Sequence, residues 1–302
     1  MIDLASLVGF AAASVRVGTP LGLAAIGESI AEKAGVINLG IEGAMLAGAF
    51  GAAAGAASGG VAMGVLMATV AGLTVAAVFA AVAVVARADQ IIAGTAITLG
   101  ATGLTGLLAQ RILTGPALSL PTLASAPVPV IDRIPFVGGT FFRQSILTYA
   151  CYLLIPLASW LLWRTRFGLQ LRASGESPAA ATAAGVRVGR MRTLAVLIGG
   201  ACAGLAGAAL VLAQVGTFTE RMTAGRGFIA IAIVSLGRWN PWGVAAAALL
   251  FGAATALQYT FQAAGTRVPY QLFIALPYLL ALAALGVAVG RHRGPAALGQ
   301  PH

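Results

Sequence analysis

Residues 164–215 read RTRFGLQLRASGESPAAATAAGVRVGRMR and then TLAVLIGGACAGLAGAALVLAQV, and the change of character at Arg192–Thr193 decides the fold. The second half carries no charged residue. As a helix it is about 34 Å long at 1.5 Å per residue, enough to cross roughly 30 Å of hydrocarbon. The first half holds Arg164, Arg166, Arg172, Arg187, Arg190 and Arg192 against Glu176 alone. A basic loop flanking a membrane span is held in the cytoplasm.

Working outward, further apolar runs fall near residues 4–26, 39–57, 61–86, 91–110, 145–163, 242–262 and 271–290. Residues 227–237 form a shorter piece, about 16 Å long as a helix, which suits a broken or re-entrant segment packed inside protein. The chain is 59% hydrophobic and 9% charged, whereas a soluble domain carries about 25% charged residues. These observations predict an all-α, polytopic transmembrane bundle of about 8–10 segments. It forms one domain over residues 1–302, with a cytoplasmic loop at about 164–192. Alternation from the basic loop places Arg87 and the tail of Arg291 and Arg293 inside and residues 111–144 outside. The tail agrees only if 227–237 counts as a crossing, which gives nine segments and an external N-terminus. That terminus lacks the basic region of a cleaved signal peptide.

Several functions are excluded or weakened by what is missing. The net charge of +10 is a topology signal, because no basic stripe with interleaved aromatics occurs in a soluble segment, so nucleic acid is not an expected partner. Both histidines, His292 and His302, lie in or near the tail, so no metal or His-based catalytic cluster can form in the membrane. The only lysine, Lys33, follows Glu32 where a phosphate-binding loop needs glycine. The chain is therefore not expected to be an enzyme or to hold a cofactor. Cys151 and Cys202 both fall in spans and imply no disulfide framework. The acidic residues, Glu28, Glu32 and Glu42 among them, fall at or near the ends of these runs. This weakens a secondary carrier, which keeps ionisable groups inside its bundle, without removing it. Glycines four apart, as in Gly51–Gly55–Gly59 and Gly200–Gly204, let helices approach closely.

Three local patterns bear on function. Within the basic loop, Ser177 suits an N-cap, Pro178 the first helical position, and Gly185 a left-handed stop. A helix this short does not persist alone in water. A partner-docking helix and an ordinary solvated loop both remain open. In residues 27–50, GESIAEKAGVINLGIEGAMLAGAF, Asn38 can cap a helix beginning at Leu39, with Glu42 in its first turn. Caps at helix ends explain these charges as well as a functional role does. In residues 225–243, GRGFIAIAIVSLGRWNPWG, Gly225 and Gly227 bracket Arg226 before the short apolar piece. Asn240–Pro241 then breaks the helix, and Trp239 and Trp242 suit a membrane interface. Such half-helices often line a transport path.

Together these blocks resemble the permease subunits of ATP-binding-cassette (ABC) importers, in the family serving simple sugars, nucleosides and branched-chain amino acids. The pattern G-V-x-N-L-G-x-E-G-x-M-L, with Gly35, Asn38, Gly40, Glu42 and Gly43, is similar to that family's N-terminal signature. The stretch RASGESPAAATAAGVRVGRMR resembles its coupling loop, which implies that Gly175, Glu176, Ser177, Pro178, Ala180 and Gly185 meet the ATPase. Gly225-Arg226-Gly227 and Arg238 to Pro241, through Asn240, resemble the nucleoside-type branch. The resemblance implies a second permease and an ATPase subunit with two fused domains that holds ATP and Mg²⁺. It also implies an extracytoplasmic substrate-binding lipoprotein and a place in the bacterial inner membrane. Nucleosides are the implied cargo and simple sugars the alternative.

One departure is Thr98, where the family often has Asn. Thr95, Thr98, Thr102 and Thr105 share one helical face. Such a stripe bonds back to carbonyls one turn earlier against a neighbouring helix, or forms a polar wall along the path of a hydroxyl-bearing solute. Both readings stay open here. On the second, Asn38, Glu42 and the four threonines mark the path.

Overall fold

The structure, a computed structural model, describes residues 4–113, 120–129, 134, 136–263, isolated positions between 275 and 286, and 294–300. The apolar run expected at 271–290 lies outside the described residues, apart from those isolated positions. Ten α-helices are described: α1 (Leu4–Lys33), α2 (Ile41–Phe79), α3 (Gln90–Ile112), α4 (Val137–Phe141), α5 (Ile146–Arg164), α6 (Arg166–Glu176), α7 (Pro178–Ala183), α8 (Val188–Leu210), α9 (Arg226–Leu236) and α10 (Pro241–Ala263). A π-helical turn extends α2 through Ala80–Val85 and another extends α8 through Val211–Val215. Among the described residues the only strands are two short ones, Ala126–Pro127 and Arg143–Gln144, paired antiparallel. Six of the helical stretches are long and apolar enough to cross a membrane.

One of those six is two limbs. Gly59 and Gly60 leave helical geometry, Gly60 at φ +79°. A Cβ at Gly51 would lie 2.7 Å from Met67 O, and one at Gly55 would lie 2.7 Å from Met63 O. Residues 41–58 and 61–79 therefore run antiparallel with backbones almost touching, as the two runs at 39–57 and 61–86 require. Helix α8 lies in the groove between the limbs. A Cβ at Gly48 would meet Gly204 Cα at 2.6 Å, and one at Gly72 would meet Gly200 O at 2.3 Å. In hydrocarbon, association rests on this close van der Waals fit, since lipid is as apolar as leucine.

The remaining elements wrap this core. Helix α1 packs against α8, α9 and α10. Helices α5 and α6 meet at a sharp corner, capped by Thr165 Oγ1, which accepts the Gly168 N–H at 3.0 Å. Over that corner the Arg172 guanidinium sits 4.4 Å from the Trp163 ring. Helix α7, the 34–40 turn, the start of α8 and residues 294–300 gather at this basic end.

Candidate functional site

The two blocks that stand far apart in sequence meet at one carboxylate. Glu42 accepts the N–H of Gly225 at 2.9 Å on one oxygen and the N–H of Gly227 at 2.6 Å on the other. These amides open α9, whose first N–H groups have no partner within the helix and carry its positive dipole end. Glu42 therefore closes α9 across a gap of some 180 residues of sequence. Glycine is required at 227: a Cβ there would sit 2.6 Å from Glu42 Cα. Gly225 supplies a left-handed φ of +81° just before the helix.

The sequence places Asn38 as the cap of a helix starting at Leu39, and the structure corrects this. Helix α2 begins at Ile41 after Gly40, with no side-chain cap. Asn38 instead donates its backbone N–H to Glu28 Oε1 at 2.9 Å, and Ile37 donates to Gln90 Oε1 at 2.9 Å. The turn begins at Gly35, at φ +91°, and folds the chain back along α1. Gly43 then brings α2 against Thr98 Cα, 3.0 Å from where a Cβ would be. Glu28, Glu32, Asn38 and Glu42 are 0%, 1%, 1% and 7% exposed, so they lie inside the bundle rather than at solvated helix ends. Hydropathy alone could not locate them.

Trp239 is the residue that sequence reading misplaced. It is buried, and its indole N–H donates to Glu32; Trp242 is 57% exposed, as a membrane-facing residue would be. Arg238 and Trp239 take left-handed φ values of +59° and +55°, which turn the chain sharply between α9 and α10. Pro241 opens α10, and Asn240 Oδ1 accepts the Trp242 N–H at 3.1 Å. The 225–243 block is thus a broken segment of the bundle, with α9 only eleven residues long. Beside it, Glu28 Oε2, Glu32 Oε1 and Asn38 Oδ1 are buried oxygens with no hydrogen-bond partner among the described residues. Such orphans are rare in native proteins and each calls for an explanation.

Helix α3 packs on α2, with Thr98 at the contact. Thr95, Thr102 and Thr105 donate to the carbonyls of Ile91, Thr98 and Ala101, one turn earlier. Thr98 alone reaches out, donating to Leu39 O at 3.1 Å. Thr105 is buried, Thr98 and Thr102 half-buried, and Thr95 exposed.

At the basic end Pro178–Ala183 is helical, and Gly185 takes φ +82°. Ser177 stands at the N-cap position, but its side chain makes no cap hydrogen bond. Ala181 is buried, while Ala179, Ala180, Thr182 and Ala183 present a small, exposed face. Gly175 is buried and Glu176 exposed at the end of α6. Toward the other end, Arg226 lines a cavity of about 490 Å³ with Arg16, Gln214, Thr219 and Tyr259. Its guanidinium also donates to Met222 O at 2.8 Å.

Comparison with known proteins places this architecture. No solved structure matches the chain. A Haloferax volcanii permease protein provisionally named for ABC transport of glucose is 37% identical, covering 94% of this chain and 92% of its own length. A guanosine ABC transporter permease of Bacillus subtilis is 34% identical over 96% of this chain and 95% of its own. A nucleoside ABC transporter permease of Lactococcus lactis is 32% identical over 93% and 92%. The family model described as branched-chain amino acid transport system / permease component matches residues 10–288. With that match, and with six helical stretches able to cross a membrane, the chain belongs to this family of ABC transporter permeases and is a multi-pass protein of the cytoplasmic membrane.

Proposed function

We propose that the chain imports nucleosides as one of two permeases in a complex with an ATPase and a substrate-binding protein. The observation that carries the nucleoside reading is the similarity, over nearly the whole of both chains, to permeases named for nucleosides and for guanosine. Glucose is the second reading, favoured by the Haloferax relative. Uptake of labelled guanosine and uridine by cells carrying the whole complex, competed with glucose, ribose and leucine, tests the class. Competition by unlabelled nucleosides alone supports it; preferential glucose transport overturns it in favour of the second reading.

In this scheme the 164–192 loop faces the cytoplasm and α7 seats on the ATPase. ATP and Mg²⁺ bind that partner, built as two fused ATPase domains, and a lipoprotein delivers the solute from outside. Closure of the ATPase domains pushes α7, and the bundle switches from outward to inward access. Gly185→Val forces a β-branched residue into a left-handed turn that costs it about 1–2 kcal/mol. A Cβ there meets no described residue within 4 Å, so the fold tolerates the change. The expected result is normal insertion and ATP hydrolysis with uptake reduced severalfold. Unchanged uptake, or labelling of Ser177→Cys only from outside the cell, contradicts the scheme.

The solute path is assigned to Asn38, Glu42 and the threonine face of α3. Weak contacts suit it, because tight binding hinders release. Thr98→Val together with Thr102→Val keeps shape and deletes two hydroxyls. Uptake falls, with expression and ATP hydrolysis retained, if the solute meets them; full uptake returns the stripe to helix packing.

A further inference from the structure

In residues 294–300, GPAALGQ, Pro295 and Ala297 are buried at the basic end of the bundle. The Ala297 N–H donates to Gly175 O at 2.9 Å, and the Gly299 N–H donates to Gly35 O at 3.1 Å. Gly175 and the 33–35 turn already touch: a Cβ at Gly175 would lie 2.3 Å from Lys33 O. That contact sets the Gly175 Cα against the Lys33 carbonyl and the Gly35 N–H. The Gly35 N–H is spent on Glu32 O, so the segment supplies hydrogen bonds to both sides of the contact.

Two further links start from the same segment. Arg192, 3% exposed at the start of α8, donates from Nε to Ala34 O at 3.2 Å and from Nη1 to Gln300 O at 2.9 Å. Gly294 packs against the Trp239 indole, whose Cζ2 lies 2.8 Å from where a Cβ would be. Trp239 in turn holds Glu32. One short segment therefore touches α6, the turn leading to Asn38 and Glu42, α8, and the corner between α9 and α10.

We propose that residues 294–300 are a strap that passes movement of the α6–α7 arm to the broken helices, with Arg192 as its positioning residue. The inference rests on α7 being the ATPase-docking helix. Van der Waals contact is non-directional, whereas hydrogen bonds in a low-dielectric setting are strengthened and hold their partners in one register. With the strap in place, displacing Gly175 pulls Gly35, and with it the segment that carries Asn38 and Glu42. Without it, the arm moves past the turn.

The test uses the whole complex, with its ATPase and binding protein, reconstituted in vesicles. The variants are a truncation ending at residue 293, Gly299→Val, which strains a φ of +76°, and the pair Arg192→Lys and Arg192→Gln. The expected result is that the ATPase still co-purifies and ATP hydrolysis stays within about twofold, while solute moved per ATP falls about tenfold. Arg192→Lys keeps a donor and a charge and should recover part of the ratio that Arg192→Gln loses. An unchanged ratio in both the truncation and Gly299→Val overturns the strap. So does loss of ATPase co-purification, which would make the segment a docking element. The ratio is read with whichever solute the parent complex imports, so an error in the cargo class does not imitate failure of the strap. Absence of a Ser177→Cys cross-link to the ATPase in the otherwise unaltered complex removes the docking reading and the strap together.

Discussion

Gly207→Val should abolish accumulation of folded protein in the membrane. A Cβ at position 207 would fall 2.3 Å from Met45 O and 2.4 Å from Ala49 N, both backbone atoms of α2. No rotamer relieves such a contact, so α8 has to withdraw from the groove between the two limbs. Withdrawal also separates Gly48 from Gly204 and Gly72 from Gly200, whose fit leaves no room for partial adjustment. Overpacking a core with side chains alone costs about 1–3 kcal/mol, and a backbone clash along a whole helix pair exceeds that. The margin of a typical domain is about 5–15 kcal/mol. Gly103→Ala is the control: no described residue lies within 4 Å of a Cβ there, and alanine favours the helix by about 1 kcal/mol. Size-exclusion of detergent-extracted protein measures both. A monodisperse Gly207→Val protein in parental yield contradicts the argument.

The close packing behind that expectation was readable in the sequence, and the polar interior was not. Apolar runs and small residues four apart act through composition, which a sequence displays directly. So Gly51–Gly55 and Gly200–Gly204 mark helix contacts correctly, whereas Gly59 lies in the turn between the two limbs of α2, and 227–237 is recognised as too short to span. Depth is different. Glu28, Glu32 and Glu42 border apolar runs, and an average over neighbours cannot distinguish a carboxylate in water from one turned into protein. Asn38 follows the same logic: capping chemistry fits it locally, but the N–H of its own backbone goes to Glu28, ten residues back. Trp239 reads as an interfacial residue until the partner carboxylate at Glu32 is known. The segment 294–300 carries no pattern at all, because its hold on the bundle comes from backbone amides, which every residue except proline has.

The second large effect is expected at Glu42. Glu42→Ala leaves the buried N–H of Gly227 without an acceptor, at about 1–3 kcal/mol, and the half-buried N–H of Gly225 without its partner. It also removes a negative charge from the positive end of α9, worth up to about 2 kcal/mol in a partly buried setting. Gly227 is buried against Glu42 Cα, and water cannot easily take the carboxylate's place without moving α9. The start of α9 should therefore detach from α2, and uptake should fall about 100-fold, the equivalent of roughly 3 kcal/mol. Glu42→Gln separates charge from shape. Its carbonyl can serve one of the two amides, while its NH₂ group faces the other donor, so one N–H is still orphaned. It should insert normally and melt a few degrees lower, with an intermediate loss of uptake. Glu42→Asp is a methylene shorter and cannot reach both amides in the present geometry. The order expected for uptake is parent, then Gln and Asp, then Ala, and thermal unfolding in detergent should follow the same order. Full uptake by Glu42→Ala with an unaltered melting temperature would mean that the α2–α9 junction contributes nothing to transport.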